Sequence, residues 1–383
     1  TYTCTVCGDK FSVVVAPTGH ALGYVNNGDH HTIVCDNSCG YSVEEAHSFV
    51  DGACICGALE VAPPTQVNIK IGHSLALDSD LGVKYRVKYS DIKAAVPNYV
   101  TEGVYLVIEK DVYPAGGKKT VETYTLAADL ASDPSRILFD LKGIQAAEMG
   151  SELRAVLHIF DAEGKEYVSA VDVYSILTYA ENALKKTSYE AQPKMVTMLI
   201  DLLNYGAASQ VNFGRRTNEL VNAGFEAYQQ YATKELAAEL TDVKETISND
   251  RSITAVTKMG FSVNLADKTE INAKLTLAAG YTMEDISKVV ILNEAGEQVD
   301  VITEFALLED GRVQVTFSGV KSINMRDMFY FVAYVGEDVA SDNVGYSVEA
   351  AAKTSIATGT GSNVDAMRAC MYYGDSACAY FGK

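Results

Sequence analysis

Six of the eight cysteines and four of the six histidines fall within the first 56 residues. They run Cys4-x2-Cys7, His20, His30-His31, Cys35-x3-Cys39, His47 and Cys54-x-Cys56. Thiolate sulfur and imidazole nitrogen are the donors a tetrahedral zinc ion takes, and cysteine pairs on tight turns supply two at a time. Gly8, Gly40 and Gly57 each follow a cysteine pair, where a residue without Cβ lets the turn close and its amides approach the sulfurs. Spacing alone groups Cys35, Cys39, Cys54 and Cys56 into one four-sulfur site. It groups Cys4, Cys7, His20 and His31 into a second, with His47 able to replace a cysteine in the first. Structural zinc is the cofactor expected. The competing reading is disulfides, which small extracellular domains use where a core is too small, but disulfides leave the histidines unexplained. A catalytic metal is not expected, because no Asp or Glu stands at the spacing that would serve a metal-bound water.

Elsewhere the chain holds only fragments of catalytic motifs. No His-Glu-x-x-His pattern occurs. Gly374-Asp375-Ser376-Ala377-Cys378 begins like a nucleophile elbow and lacks its closing glycine. Thr358-Gly359-Thr360-Gly361-Ser362 is glycine-rich without the lysine of a phosphate loop, and is read as a linker. His73 and His158 stand in or beside apolar runs and are read as satisfied core histidines. Asp78-Ser79-Asp80 lacks the longer run of oxygen donors a calcium loop needs, and is read as a turn. Cys370 and Cys378 lie about 12 Å apart on a continuous helix at 1.5 Å per residue, too far for a disulfide. Carboxylate pairs for glycoside hydrolysis leave no signature in one sequence; the absence of Trp counts against a sugar-stacking cleft.

The elements that would position these groups change character along the chain. Residues 1–60 are rich in Gly, His, Cys and Asn. Val61-Ala62-Pro63-Pro64-Thr65 reads as a boundary, since consecutive prolines resist helix and central strand. Beyond it Ile137, Phe139 and Leu141 alternate with other residues, as on a strand with one face in a core. Val104–Ile108 and Ala155–Phe160 are apolar runs of strand length. Val173, Ile176, Leu177, Ala180 and Leu184 then have helical spacing, as do Met195, Met198, Leu199, Leu202 and Leu203, with Pro193 where a helix tolerates it. After residue 252 the order recurs: Val313, Val315 and Phe317 alternate, Phe329–Val335 is apolar, and helical spacing follows.

The recurrence extends to residues. Gly143-Ile144, Met149 and Leu153 match Gly319-Val320, Met325 and Phe329 at an offset of 176. Tyr174-Ser175-Ile176 matches Tyr346-Ser347-Val348 at 172, and Asn204-Tyr205-Gly206 through Phe213-Gly214 matches Tyr372-Tyr373-Gly374 through Phe381-Gly382 at 168. Falling offsets with landmarks in constant order indicate an internal duplication. The expected domains are a Cys/His-rich head at 1–60, copy 1 at 66–216, a helical connector at 217–251 rich in Glu, Ala and Leu, and copy 2 at 252–383. The fold class expected is α+β: a zinc-ribbon-like head, then two tandem antiparallel, Ig-like β-sandwich modules, each with an attached helical pair. Covering a one-faced sheet with a one-faced helix pair buries both. Tyr174 and Tyr346 are expected to lead from the last strand into the first helix, with Ser175 and Ser347 as N-caps.

Thr1-Tyr2-Thr3-Cys4-Thr5-Val6-Cys7-Gly8, followed by Pro17-Thr18-Gly19-His20, resembles a short Cys/His repeat of secreted proteins from gut Firmicutes. That repeat has a further Cys upstream of Tyr-Thr-Cys, a position before residue 1, so the first site is expected to be truncated and the chain to be a piece of something longer. Met198–Ala208 and Ala377–Gly382 resemble a paired module of large clostridial cell-surface proteins. The resemblance implies an extracellular, cell-surface location and a modular architecture; it implies no activity.

The net charge of −19 repels phosphate backbones and anionic lipid, so nucleic acid and membrane surfaces are not expected partners. No apolar run approaches the roughly 20 residues that span a bilayer. The function expected is a non-catalytic adhesion, scaffold or display-stalk segment that binds a host or bacterial surface macromolecule, protein or glycan, or self-associates. The alternative is a carbohydrate-binding appendage of a secreted glycan-degrading enzyme.

Overall fold

The structure, a computed structural model, describes residues 2–11, 19–37, 39–60, 63–77, 81–251, 253–266 and 268–383. Asp78-Ser79-Asp80, Pro17-Thr18 and Val61-Ala62 lie outside the described residues. The chain divides into two compact units, Thr1–Pro64 and Thr65–Lys383.

In the first unit, strands β1 (Leu22–Asn26), β2 (His30–Cys35) and β3 (Ser42–Ala46) form an antiparallel sheet. The β1–β2 turn runs through Asn27-Gly28, with Gly28 at φ +94°, a left-handed conformation that favours glycine. Two small hairpins flank it: Tyr2–Thr3 with Lys10–Phe11, and Phe49–Val50 with Ala53–Cys54. Among the described residues of this unit the buried side chains are His31, Cys35, Cys54 and Ala58. Three of these four are metal-ligand types, so hydrophobic burial alone does not hold the head together.

The second unit holds both copies. In copy 1, β4 (Gly72–Ala76), β5 (Gly82–Lys88) and β8 (Arg136–Lys142) make one sheet in the order β8-β5-β4. The other has the order β7-β6-β9-β10, with β6 (Tyr99–Val112), β7 (Thr120–Ala127), β9 (Leu153–Asp161) and β10 (Glu166–Ser169). Strand β11 (Asp172–Tyr174) also pairs with β9. Alternation sets the core: Val83, Tyr85, Val87, Ile137, Phe139 and Leu141 from the first sheet are buried, as are Val104, Leu106, Ile108, Leu153, Ala155, Leu157 and Ile159 from the second. Helices α1 (Ile176–Lys186) and α2 (Pro193–Phe213) follow.

Copy 2 repeats the plan. Strands β12 (Val256–Asn264), β13 (Glu270–Leu277) and β16 (Val313–Phe317) form the counterpart of the first sheet. Strands β14 (Lys288–Leu292), β15 (Gln298–Ile302), β17 (Phe329–Val335), β18 (Asp338–Val339) and β19 (Asn343–Tyr346) form the second. Helices α3 (Val348–Thr358) and α4 (Ser362–Phe381) close it.

Small details recur at equivalent places. A 3₁₀ turn precedes β9 at Ala146–Glu148 and β17 at Ser322–Asn324. The carbonyl of Met149 accepts from Leu177 N–H at 2.9 Å, and that of Met325 from Glu349 N–H at 2.9 Å. Ser175 Oγ accepts from Thr178 N–H at 2.9 Å and Ser347 Oγ from Ala350 N–H at 3.1 Å, so both serines cap their helices. Ser169 Oγ accepts from Leu157 N–H and Ser341 Oγ from Ala333 N–H.

The copies pack on each other through α2 and α4. Ser362, at the start of α4, donates to Asn212, at the end of α2, so the helices run antiparallel. At mid-length Tyr205 stacks on Tyr373, its own equivalent, with ring centroids 6.2 Å apart. The Tyr373 hydroxyl donates to Leu77 O at 3.1 Å, and the Tyr205 hydroxyl bonds with Thr269. Each tyrosine thus reaches the loop between the first two strands of the other copy. Contact of a residue with its own equivalent is the mark of an internal pseudo-twofold axis.

Two expectations need correction. The connector 217–251 is not helical: it carries one 3₁₀ segment, Glu226–Tyr231, and a two-residue strand, Thr246–Ile247. Its groups are drawn instead to the bundle. Asp201 accepts from Thr233 N–H at 2.9 Å, Asp375 accepts from Ala237 N–H at 2.8 Å, and Val221, Phe225 and Leu240 are buried in the core. Helix propensity is a weak preference that such contacts override. Val173, counted with the α1 stripe, sits exposed in β11; the stripe that packs is Ile176, Ala180 and Leu184.

Candidate metal centre

The head brings its donors into two groups, and the sorting follows from the β2–β3 hairpin. His31 and Cys35 share one strand and one face, but four residues at about 3.3 Å each separate them by about 13 Å, too far to share an ion. Register places Cys35 opposite Leu22, two residues beyond His20, and His31 opposite Glu45, two residues before His47. Each end of the sheet therefore collects its own ligands.

At one end His31, His47, Cys54 and Cys56 offer four donor atoms within 4.8 Å of one another. Cys54 Sγ lies 3.5 Å from His31 Nδ1, and Cys56 Sγ lies 3.3 Å from His47 Nδ1. Zinc bonds of about 2.3 Å to sulfur and about 2.0 Å to nitrogen at the tetrahedral angle demand sulfur–nitrogen separations of about 3.5 Å, so the set fits. His47 Nε2 lies 3.1 Å from Gly28 O; a proton held there leaves Nδ1 free to ligate. The Cys54-x-Cys56 knuckle is shaped by Gly57, whose N–H donates to Cys54 O at 2.8 Å at φ +86°. The Cys54 thiol is pushed down to about 6, chiefly by the Cys56 backbone amide and also by His47; His47 is raised, chiefly by Cys54. A low thiol and a nearby imidazole are the state a metal ion takes over.

At the other end His20, Cys35 and Cys39 form a three-donor group. His20 Nδ1 is 3.1 Å from Cys39 Sγ, and its ring stacks on Tyr41 with centroids 4.4 Å apart. The Cys35 thiol is pushed down to about 6, first by Cys39 and then by His20. Cys4 and Cys7 belong to neither group and form a third knuckle, with Gly8 N–H donating to Cys4 O at 2.9 Å and the Cys4 thiol lowered to about 7, chiefly by the Cys7 amide.

The grouping expected from spacing is thus corrected. Cys35 and Cys39 do not join Cys54 and Cys56; His31 leaves Cys4, Cys7 and His20; and His47 is a full member of the Cys54–Cys56 set. All eight cysteines are free thiols. His73 Nε2 meets Asp172 at 2.6 Å and His158 Nδ1 meets Glu166 at 2.7 Å, each histidine with its own carboxylate. Ser376 lies in mid-helix on α4, buried, and donates to Tyr373 O at 3.1 Å, so no strand-turn-helix elbow forms there.

No protein-family model matches the sequence, and no curated protein aligns with it. Among solved structures the chain is similar to the fibronectin(III)-like modules of Clostridium thermocellum CbhA, at 10% identity over 72% of this chain and 91% of that one, with a TM-score of 0.14. At that score the similarity carries no weight, and the sandwich assignment rests on the strand pairing above. Among the described residues no helix is long and apolar enough to cross a membrane.

Proposed function

We propose that the chain is a non-catalytic segment of a bacterial extracellular surface protein, an adhesion or display scaffold whose head is stapled by structural zinc. The observation that carries this reading is what the two copies share. Their common residues are the Met149/Met325 turns, the Ser175/Ser347 caps, the Gly206/Gly374 helix positions and the Tyr205/Tyr373 stack, which turn, cap and pack. Chemically loaded side chains are not shared: buried Glu148, which pairs with Lys110 at 2.8 Å, is replaced by Asn324, and Arg326 of copy 2 stands where copy 1 has Gly150. The buried acids Asp111, Glu148, Asp161, Asp201 and Glu349 each have partners within the fold. Zinc is supported by a Cys2His2 set whose spacing matches that ion. The extracellular setting rests on the resemblance of the Cys/His repeat and the paired module to clostridial surface proteins.

The partner would be a host or bacterial surface macromolecule, or another copy of the chain; the charge of −19 disfavours polyanions. Testing takes the chain to a glycan array and to pull-down from mucus and cell-wall extracts, alongside incubation with mucin, plant polysaccharides and peptides. Saturable protein capture without turnover is expected. Saturable glycan binding would make the chain a carbohydrate-binding appendage instead. Turnover abolished by changing one Asp or Glu would overturn the reading.

A further inference from the structure

We propose that the head holds a second metal site of a different kind: His20, Cys35 and Cys39 bind a zinc-like divalent ion through three protein ligands and leave its fourth position to an exchangeable nitrogen or sulfur donor from outside the head. The inference rests on the metal reading of the head given above.

Three observations converge. The donor atoms of these three side chains lie within 4.8 Å of one another, close enough to share an ion. Among the described residues no further His, Cys, Asp or Glu lies within that distance of all three. The head residues outside the description, Thr1, residues 12–18, Ser38, Val61 and Ala62, include none of those types. Cys4 and Cys7, the remaining thiols of the head, face each other in their own knuckle. Finally, the site is accessible. His20 and Cys39 are exposed, whereas His31 and Cys54 of the four-donor set are 3% and 4% exposed.

Three protein donors and one open position are the arrangement in which zinc exchanges ligands, whereas four protein donors are the arrangement in which it only holds structure. The exposed imidazole does not hang loose, because stacking on Tyr41 orients it. Hydrolysis does not follow from the open position. It needs a base beside the metal-bound water, and no carboxylate belongs to the group. What the open position fits is a soft or borderline donor, an imidazole or a thiolate, matching the ligands already present.

The test strips the whole chain of metal under reducing conditions, refills it with Co(II), and follows the visible ligand-field spectrum while imidazole is added. Two equivalents should bind, and imidazole should change the spectrum of one. His20→Ala and Cys39→Ser should each lose that equivalent together with the imidazole response, and keep the other. Cys54→Ser should lose the unresponsive equivalent and keep the response. Binding of a single equivalent, lost in Cys54→Ser, would overturn the inference while leaving the structural ion in place. So would two equivalents that both ignore imidazole. A response that survives His20→Ala and vanishes in the Cys4→Ser/Cys7→Ser double variant would move the open site to the other knuckle and overturn it as well. Failure to bind any cobalt would remove the metal reading of the whole head.

Discussion

Alanine at Gly206 and Gly374 probes the packing that the two copies share. In the interior of an exposed helix, Gly→Ala gains about 1 kcal/mol from helix propensity. Here the added methyl has no room. At Gly206 it would lie 2.8 Å from Met149 Sδ, 2.8 Å from Val221 Cγ2 and 3.2 Å from the carbonyl oxygen of Ala146. Met149 can swing its sulfur aside, but Val221 is branched, buried and stiff, and a carbonyl in a 3₁₀ turn moves only with its backbone. At Gly374 the methyl would meet Met325 Cγ at 2.8 Å, Met325 Cβ at 3.2 Å and Ser322 O at 3.3 Å, all close to the main chain. Overpacking of this kind costs about 1–3 kcal/mol. Set against the propensity gain, each variant should show no gain and lose up to about 2 kcal/mol. Urea unfolding reads this as a lower midpoint at unchanged slope. Combining Gly206→Ala with Val221→Ala should cost less than the sum of the two, because the second change opens the space the first needs. Midpoints that rise in both single variants, as on an exposed helix, would refute the abutment of each helix on its turn, and with it the structural duplication.

Further outcomes follow from other contacts. Ser175→Ala and Ser347→Ala should each cost about 1 kcal/mol by loss of a helix cap; unchanged melting curves for both would contradict the assignment. Glu148→Gln should cost about 3 kcal/mol, because it removes the negative charge 2.8 Å from the buried Lys110 ammonium, keeping only a neutral acceptor, and leaves the half-exposed Glu122 as its ion partner; a loss below that of an ordinary surface substitution would show that Lys110 finds water instead. Burial would raise the Asp111 carboxyl, but Arg154 at 2.7 Å and Lys119 at 3.0 Å more than offset it and hold it below the ordinary range. A depressed carboxyl stabilises above its unfolded value of about 3.9, and that stability is lost as pH falls through the lower folded value. Urea midpoints of Asp111→Asn should therefore decline less than wild type below about pH 4; parallel declines would remove Asp111 from the account.

The sequence carried the strands well where one face is buried. Ile137, Phe139 and Leu141 alternate because β8 turns them into the core, and even the continuous run Val104–Ile108 buries only Val104, Leu106 and Ile108. Both serine caps and the duplication were legible because each rests on local residues in constant order. The connector was not, since its backbone is claimed by Asp201 and Asp375 from helices more than thirty residues away. Spacing alone misassigns the ligand groups, because neighbours in sequence here lie at opposite ends of the sheet. The signal that sorts them was present. Asn27-Gly28 between alternating segments marks a hairpin turn; folding the chain about it brings Leu22 against Cys35, and so His20 toward the Cys35–Cys39 turn.

The most direct test of the account is native mass spectrometry of the purified chain, paired with thiol counting and elemental analysis. The expected result is zinc bound to a chain whose head cysteines form no disulfides, with the equivalent held by His31, His47, Cys54 and Cys56 lost when any one of them is replaced. A chain without metal, carrying three disulfides among the six head cysteines, would contradict it.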